Sequence, residues 1–175
     1  MNPIDLPPVS SPLRDAYRAL IGDVDRSTAR LAGRLHEHLR CMPGCSSCCR
    51  RFSVAPIEAA LIGEQLGQRS VTALADDSTD RCGLLIDDLC SVYTLRPLIC
   101  RTQGLPIAYI DEVNERIEVS VCPLNFSQSY RFSHDDLLYL DPFNRLLAGL
   151  NIRYCRETGV DASSRISLGQ RFRFS

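Results

Sequence analysis

Lysine and tryptophan are both missing from the 175 residues, and methionine occurs only twice. All 20 basic residues are therefore arginine, which reads as a compositional bias rather than as mechanism. With no tryptophan and aromatics at 7%, the chain offers no stacking platform for single-stranded nucleic acid. Neither sign of charge dominates. A formal net charge of −1 recommends neither nucleic acid nor an anionic membrane as a partner. No segment approaches the ~18 uninterrupted apolar residues that a membrane-spanning helix needs. The opening MNPIDLPPVSSP lacks the basic start and the apolar run of a signal peptide, which predicts a cytoplasmic protein. There is no glycine-rich phosphate loop, no G-x-S-x-G elbow and no H-E-x-x-H helix. Ordinary enzyme chemistry leaves no trace.

Cysteine is what the chain has in excess: nine residues, four of them within CMPGCSSCC, Cys41 to Cys49. In the cytoplasm thiols stay reduced, and an odd count fits disulfides badly. Nine thiols there point to metal or redox chemistry.

The 45% apolar and 23% charged fractions are those of an ordinary folded domain. Residues 1–11 are proline-rich and read as a disordered segment. Residues 12–159 then form a single domain, and 160–175 a tail of limited structure. Leu13, Tyr17, Leu20, Val24, Leu31, Leu35 and Leu39 mark an amphipathic helix from Pro12 to Arg40. Pro56 opens a second helix ending near Gly67, followed by a polar loop, DDSTDR. CGLLIDDLCSVY reads as a small hairpin turning at Asp87-Asp88, with Cys82 and Cys90 near its open end. TLRPLICR makes a helical turn carrying Cys100. Ile107–Ile110 and Ile117–Val121 form a second hairpin turning around Glu112–Glu115, with Cys122 at its end. Ser133 to Asp136 has the form of a capping box, predicting a short helix to Leu140. A longer helix follows from Pro142 to Arg156, stopped by Gly159. The class is α+β: helices around two short hairpins, organised by a cysteine-ligated metal centre.

Thiolates held close together repel unless a cation neutralises them. Zinc sites do so with four sulfurs at about 2.3 Å. Cys41-x₃-Cys45 and Cys45-x₂-Cys48 both have the spacing that aims two sulfurs at one point. Gly44 supplies backbone freedom, and Ser46 and Ser47 are small enough to let amides approach sulfur. Cys82, Cys90, Cys100 and Cys122 fall at strand ends or on a turn, where distant chain can converge. Four-sulfur coordination suits zinc and iron–sulfur clusters alike. Adjacent Cys48 and Cys49 break the bacterial ferredoxin pattern. One of that pair could serve a second ion, bridge two ions or stay free. Cys155 reads as a core-filling thiol, and His36, His38 and His134 as solvated side chains. Tyr93 reads as core. Arg50, Arg51, Arg96 and Arg101 flank the proposed ligands; they are either solvated surface or charges that offset thiolate and hold an anion.

CMPGCSSCCRRFSVAPIEAALI, CGLLIDDLCSVYTLRPLICR and VSVCPLNF together resemble the CxxCxxCC family, also called YkgJ-like, across residues 41–126. The most specific piece is Cys90, Tyr93, Arg96-Pro97, Cys100 and Arg101. The first gap here is three residues where the family has two. The resemblance implies zinc- or iron-chelating chemistry with Cys41, Cys45, Cys48, Cys49, Cys82, Cys90, Cys100 and Cys122 as ligands. The family is also similar to the metal-binding part of flagellin lysine-N-methylases, which are much longer, so their activity is not implied. The expected role is a structural or metal-handling site. The alternatives are an iron–sulfur redox protein, an accessory component of a modification enzyme, or an interaction module that its metal merely folds.

Overall fold

A computed structural model describes residues 4–66, 80–111, 113, 116–168 and 172–173. Most of the DDSTDR loop, the Gly67 helix end and most of the second hairpin's turn lie outside the described residues. Among the described residues the architecture is α+β, with four α-helices and small sheets. Helix α1, Ser11–Arg34, starts on a proline in its first turn and buries Leu13, Leu20, Ile21, Val24 and Leu31. Helix α2, Pro56–Leu66, is apolar nearly all round and correspondingly buried. Helix α3, Leu98–Thr102, is one turn. Helix α4, Asp141–Thr158, ends at Gly159, whose φ of 78° lets its amide close on the Cys155 carbonyl at 2.9 Å. No helix among the described residues is long and apolar enough to cross a membrane.

The strands are short. In chain order they are β1 Ile4–Asp5, β2 Ser53–Val54, β3 Leu85–Ile86, β4 Leu89–Cys90, β5 Ile107–Asp111, β6 Arg116–Ser120, β7 Leu138–Tyr139, β8 Ile166–Ser167 and β9 Phe172–Arg173. Both expected hairpins are present. In the first, Leu85 faces Cys90, and Asp87 and Asp88 turn the chain with φ of 47° and 63°. Two consecutive positive φ values define the tight turn that the strand twist favours, and aspartate tolerates them. In the second, Ile107 faces Ser120, with Ile110 opposite Ile117.

Four sequence expectations change. The first helix stops at Arg34 instead of running to Arg40. Leu35 closes it on the Leu31 carbonyl, and a 3₁₀ turn, His36–His38, takes over. That turn keeps Leu35 in an apolar cluster with Leu31, Leu105, Ile107, Leu138 and Leu140. The Ser133–Asp136 capping box forms but caps only a 3₁₀ turn, because Leu138 and Tyr139 are drawn into a parallel ladder with β5. The N-terminal segment is not left loose from residue 4 onward. Leu6, 1% exposed, and Val9 enter the largest core cluster. The C-terminal tail joins the same cluster: β8 pairs with β2, burying Ile166 and Leu168 beside Ile57 and Tyr154.

Candidate metal centre

The Cys41–Cys49 segment is a pair of consecutive turns. The Cys45 amide donates to the Met42 carbonyl at 3.0 Å, with Gly44 at φ 86° inside that turn, and the Cys49 amide to the Ser46 carbonyl at 2.9 Å. The tip of the first hairpin clasps this double turn. Ser46 Oγ donates to Asp88 at 2.5 Å, and Arg81 pairs with the same carboxylate. The Ser46 hydroxyl, followed by Arg81, holds that carboxyl below its usual range. The Cys82 amide donates to the Cys49 carbonyl at 3.0 Å, so the second cysteine block begins beside the end of the first.

All nine thiols are free. Their mutual influence sorts eight of them into two sets. Burial first, then the Cys122, Cys41 and Cys45 thiols, pushes Cys48 up. Burial, then Cys48, Cys82 and Cys90, pushes Cys49 up to about 11. Cys82 is raised by burial and then by Cys90, against a lowering pull from the Leu84 amide and Arg51. Cys100 rises furthest, through burial and then Cys82, Cys90 and Cys49. One quartet is Cys41, Cys45, Cys48 and Cys122. The other is Cys49, Cys82, Cys90 and Cys100. The peptide between Cys48 and Cys49 is where they meet. Cys82, Cys90 and Cys100 pack against the main core, whereas Cys41 is exposed.

Among the described residues, no three or more His, Cys, Asp or Glu side chains stand at distances that would hold a metal ion. The donor chemistry nevertheless fits one. Each set is all sulfur, the donor that soft or borderline cations take, and is mostly half-buried, its members lying on turns except for Cys90 at the end of β4 and Cys100 in the one-turn α3. Thiols pushed up by burial and by one another hold their protons, and a cation that displaces those protons removes the repulsion.

Three supporting residues carry no cysteine and were not singled out by the sequence. Glu58, 3% exposed, accepts from the Leu98 amide at 2.9 Å, the Ala55 amide at 3.3 Å and the Tyr17 hydroxyl at 3.2 Å. It thereby satisfies the starts of both α2 and α3, and α3 carries Cys100. Burial pushes its carboxyl up, against those three hydrogen bonds. Asn125, 3% exposed, takes the Arg40 amide at 2.8 Å and donates to the Gly104 carbonyl at 2.7 Å and to Cys41 Sγ at 3.5 Å. Its own backbone amide closes a turn on the Cys122 carbonyl at 3.0 Å, so this one residue links both ends of the first quartet. Gly104, at φ 92°, lies against Cys41: a Cβ there would come within 2.9 Å of the sulfur. The visible signals were slight. Glu58 is a lone carboxylate three residues into an apolar helix start, and Asn125 follows Cys122 by three.

The other candidates fall elsewhere. Cys155 is buried in the main core near Asn151 Oδ1, at 3.8 Å. His36 meets the Gly33 carbonyl at 3.0 Å. His38 is not a solvated side chain; it packs on Phe126 and Tyr130, with centroids 5.7 and 4.5 Å away. His134 lies 5.0 Å from the Tyr139 ring. Tyr93 is not core either: it is 62% exposed, with the Arg96 guanidinium 3.8 Å above its ring. The four arginines divide. Arg50 pairs with Asp80 at the surface. Arg51 lies near enough to Cys82 to pull its thiol down. Arg101 is mostly buried, gripping Asp25 at 2.8 Å and the Thr94 and Arg96 carbonyls.

No curated protein matches the chain, and no solved structure does. Residues 40–122, which hold all eight cysteines of the two quartets, match the family model CxxCxxCC, described as "Putative zinc- or iron-chelating domain".

Proposed function

We propose that this protein binds zinc or iron through two four-thiolate centres, Cys41/Cys45/Cys48/Cys122 and Cys49/Cys82/Cys90/Cys100. The centres serve a structural or metal-handling role. The observation that carries this reading is which chain segments lie together: Asn125 links Cys41 to the Cys122 carbonyl, the Cys82 amide bonds the Cys49 carbonyl, and the thiols that raise Cys48, Cys49, Cys82 and Cys100 follow the same grouping, with Cys48 and Cys49 as its junction. That split also gives adjacent cysteines separate partners, which a single ion could not easily provide. A bound cation supplies charge neutralisation and cross-linking of distant chain. Four sulfurs around zinc would leave no open position for a substrate, so hydrolytic catalysis is not part of the proposal.

The test is elemental analysis of anaerobically purified protein beside its absorption spectrum. The expected result is two four-thiolate sites' worth of metal in the wild type. Cys45→Ser and Cys100→Ser should each lose about half, and Cys155→Ser none. Visible absorption with iron and sulfide would assign iron–sulfur clusters, whereas a colourless protein with zinc would assign two zinc ions. Complete loss from either single variant would replace two centres with one shared cluster. Full metal content in Cys45→Ser or Cys100→Ser would remove that residue from the ligands.

A further inference from the structure

Helices α1, α2 and α3 enclose a cleft of about 340 Å³ that contains no cysteine of either quartet. That volume is in the range of small-molecule sites. Its apolar walls are Ile21 from α1, Leu61 and Ile62 from α2, and Leu95 from the turn before α3. Four arginines line it against only two carboxylates, in a chain whose net charge is −1. Arg14 is engaged by Glu64, and Arg101 by Asp25. Glu58, at the floor, is already taken by two amides and the Tyr17 hydroxyl. The guanidiniums without a strong carboxylate partner are Arg18, whose exposed pair with Asp15 at 3.5 Å is weak, and Arg96, which stacks on Tyr93 and donates to its carbonyl at 3.1 Å.

Gly22 adds an independent observation. It sits inside a 24-residue helix, where glycine costs about 1 kcal/mol against alanine. No positive φ demands it. A Cβ there would meet only the far end of Arg26, at 3.4 Å. What the missing side chain does provide is open space along the cleft that Gly22 lines.

We propose that this cleft binds a small organic acid, with an apolar body between α1 and α2 and a single oxyanion against Arg96 and Arg18. The site gives the Arg96 side of the Arg96–Arg101 stretch a role of its own. It does not depend on which metal the thiols hold.

The experiment is a fluorescence titration of the full-length, metal-loaded protein with anilinonaphthalene sulfonate, an aromatic body bearing one anionic group. Its uncharged counterpart, phenylnaphthylamine, is the control. The wild type should show saturable binding at one site, competed by decanoate. Arg96→Gln should weaken the sulfonate about tenfold and leave the neutral probe unchanged. Gly22→Leu should abolish both at an undiminished melting temperature; if that variant folds poorly, the Arg96→Gln arm decides alone. Absence of saturable binding, equal binding to wild type and a well-folded Gly22→Leu, or a sulfonate affinity indifferent to Arg96→Gln would overturn the proposal.

Discussion

Replacing Glu58 with alanine takes the acceptor away from three donors at once: the Leu98 amide, the Ala55 amide and the Tyr17 hydroxyl. The two amides are buried helix starts, and each buried donor left without a partner costs about 1–3 kcal/mol. Tyr17, which lines the cleft, loses its acceptor as well. Against this, alanine relieves the burial that pushes the Glu58 carboxyl up. The net expectation is a loss of about 3 kcal/mol, a large share of a domain's typical ~5–15 kcal/mol. Glu58→Gln keeps one carbonyl oxygen but turns an amide toward a donor, so about 1–2 kcal/mol is expected there. Urea unfolding of the metal-loaded protein measures both. Native-state alkylation should find Cys100 more reactive in Glu58→Ala, because α3 loses its tether. The pH dependence gives the sign independently. An acid whose folded pKa lies above its ordinary value of 4.5 binds more protons folded than unfolded, so its contribution falls as pH rises from about there through the raised value. Wild type should therefore lose stability relative to Glu58→Gln over that window, with the gap constant above it. A Glu58→Ala protein within about 0.5 kcal/mol of wild type, with Cys100 equally protected, would refute the reasoning.

Asn125→Ala removes three side-chain hydrogen bonds and leaves the Arg40 amide without its acceptor, for an expected loss of about 2–3 kcal/mol. Its metal should exchange faster from the Cys41 set than from the Cys100 set, followed by chelator competition. Gly104→Ala adds backbone strain of about 1 kcal/mol and a methyl within 2.9 Å of Cys41 Sγ. It should raise Cys41 alkylation while leaving Cys100 unchanged, read by mass spectrometry of native protein. Stripping the metal should lower the melting temperature and loosen residues 41–122, while α1 and α4, packed through apolar contacts, keep part of their helicity. Unchanged melting and circular dichroism after complete stripping would contradict that.

Elements with a strong local signature were legible in the sequence. The α1 stripe, the Pro56 start, the Asp87-Asp88 turn and the Gly159 stop each depend on residues within one helical turn of the event. What was not legible depends on distant partners. Leu6 and Val9 sit in a segment with no apolar period, and they are buried by joining a core cluster assembled from distant chain, α1, α2, α4 and the returning β8 among it. Leu138 and Tyr139 read as helix because of the capping box before them, until β5 offers a parallel ladder. Cysteine spacing singled out the cluster from Cys41 to Cys49 but could not divide it. The division depends on Cys122 coming near Cys48 and Cys82 near Cys49, which no local pattern encodes.

The two quartets also differ in what surrounds them, and the difference bears on how the centres would behave. Cys82, Cys90 and Cys100 rest on the main core, and Cys100 is tied through α3 to Glu58 and α2. The first quartet is more open: Cys41 is exposed, and the link across it is the amide of Asn125, outside the matched residues 40–122. On the proposed assignment, a cation in the core-backed quartet would sit against packed core, while one in the Asn125 quartet would sit on more exposed turns, which open at lower cost. Cys48 and Cys49 are consecutive, so movement of the outer turn acts directly on one ligand of the inner set. If both sets bind metal as proposed, the inner ion would exchange more slowly than the outer one, the order that chelator competition on the wild type would read.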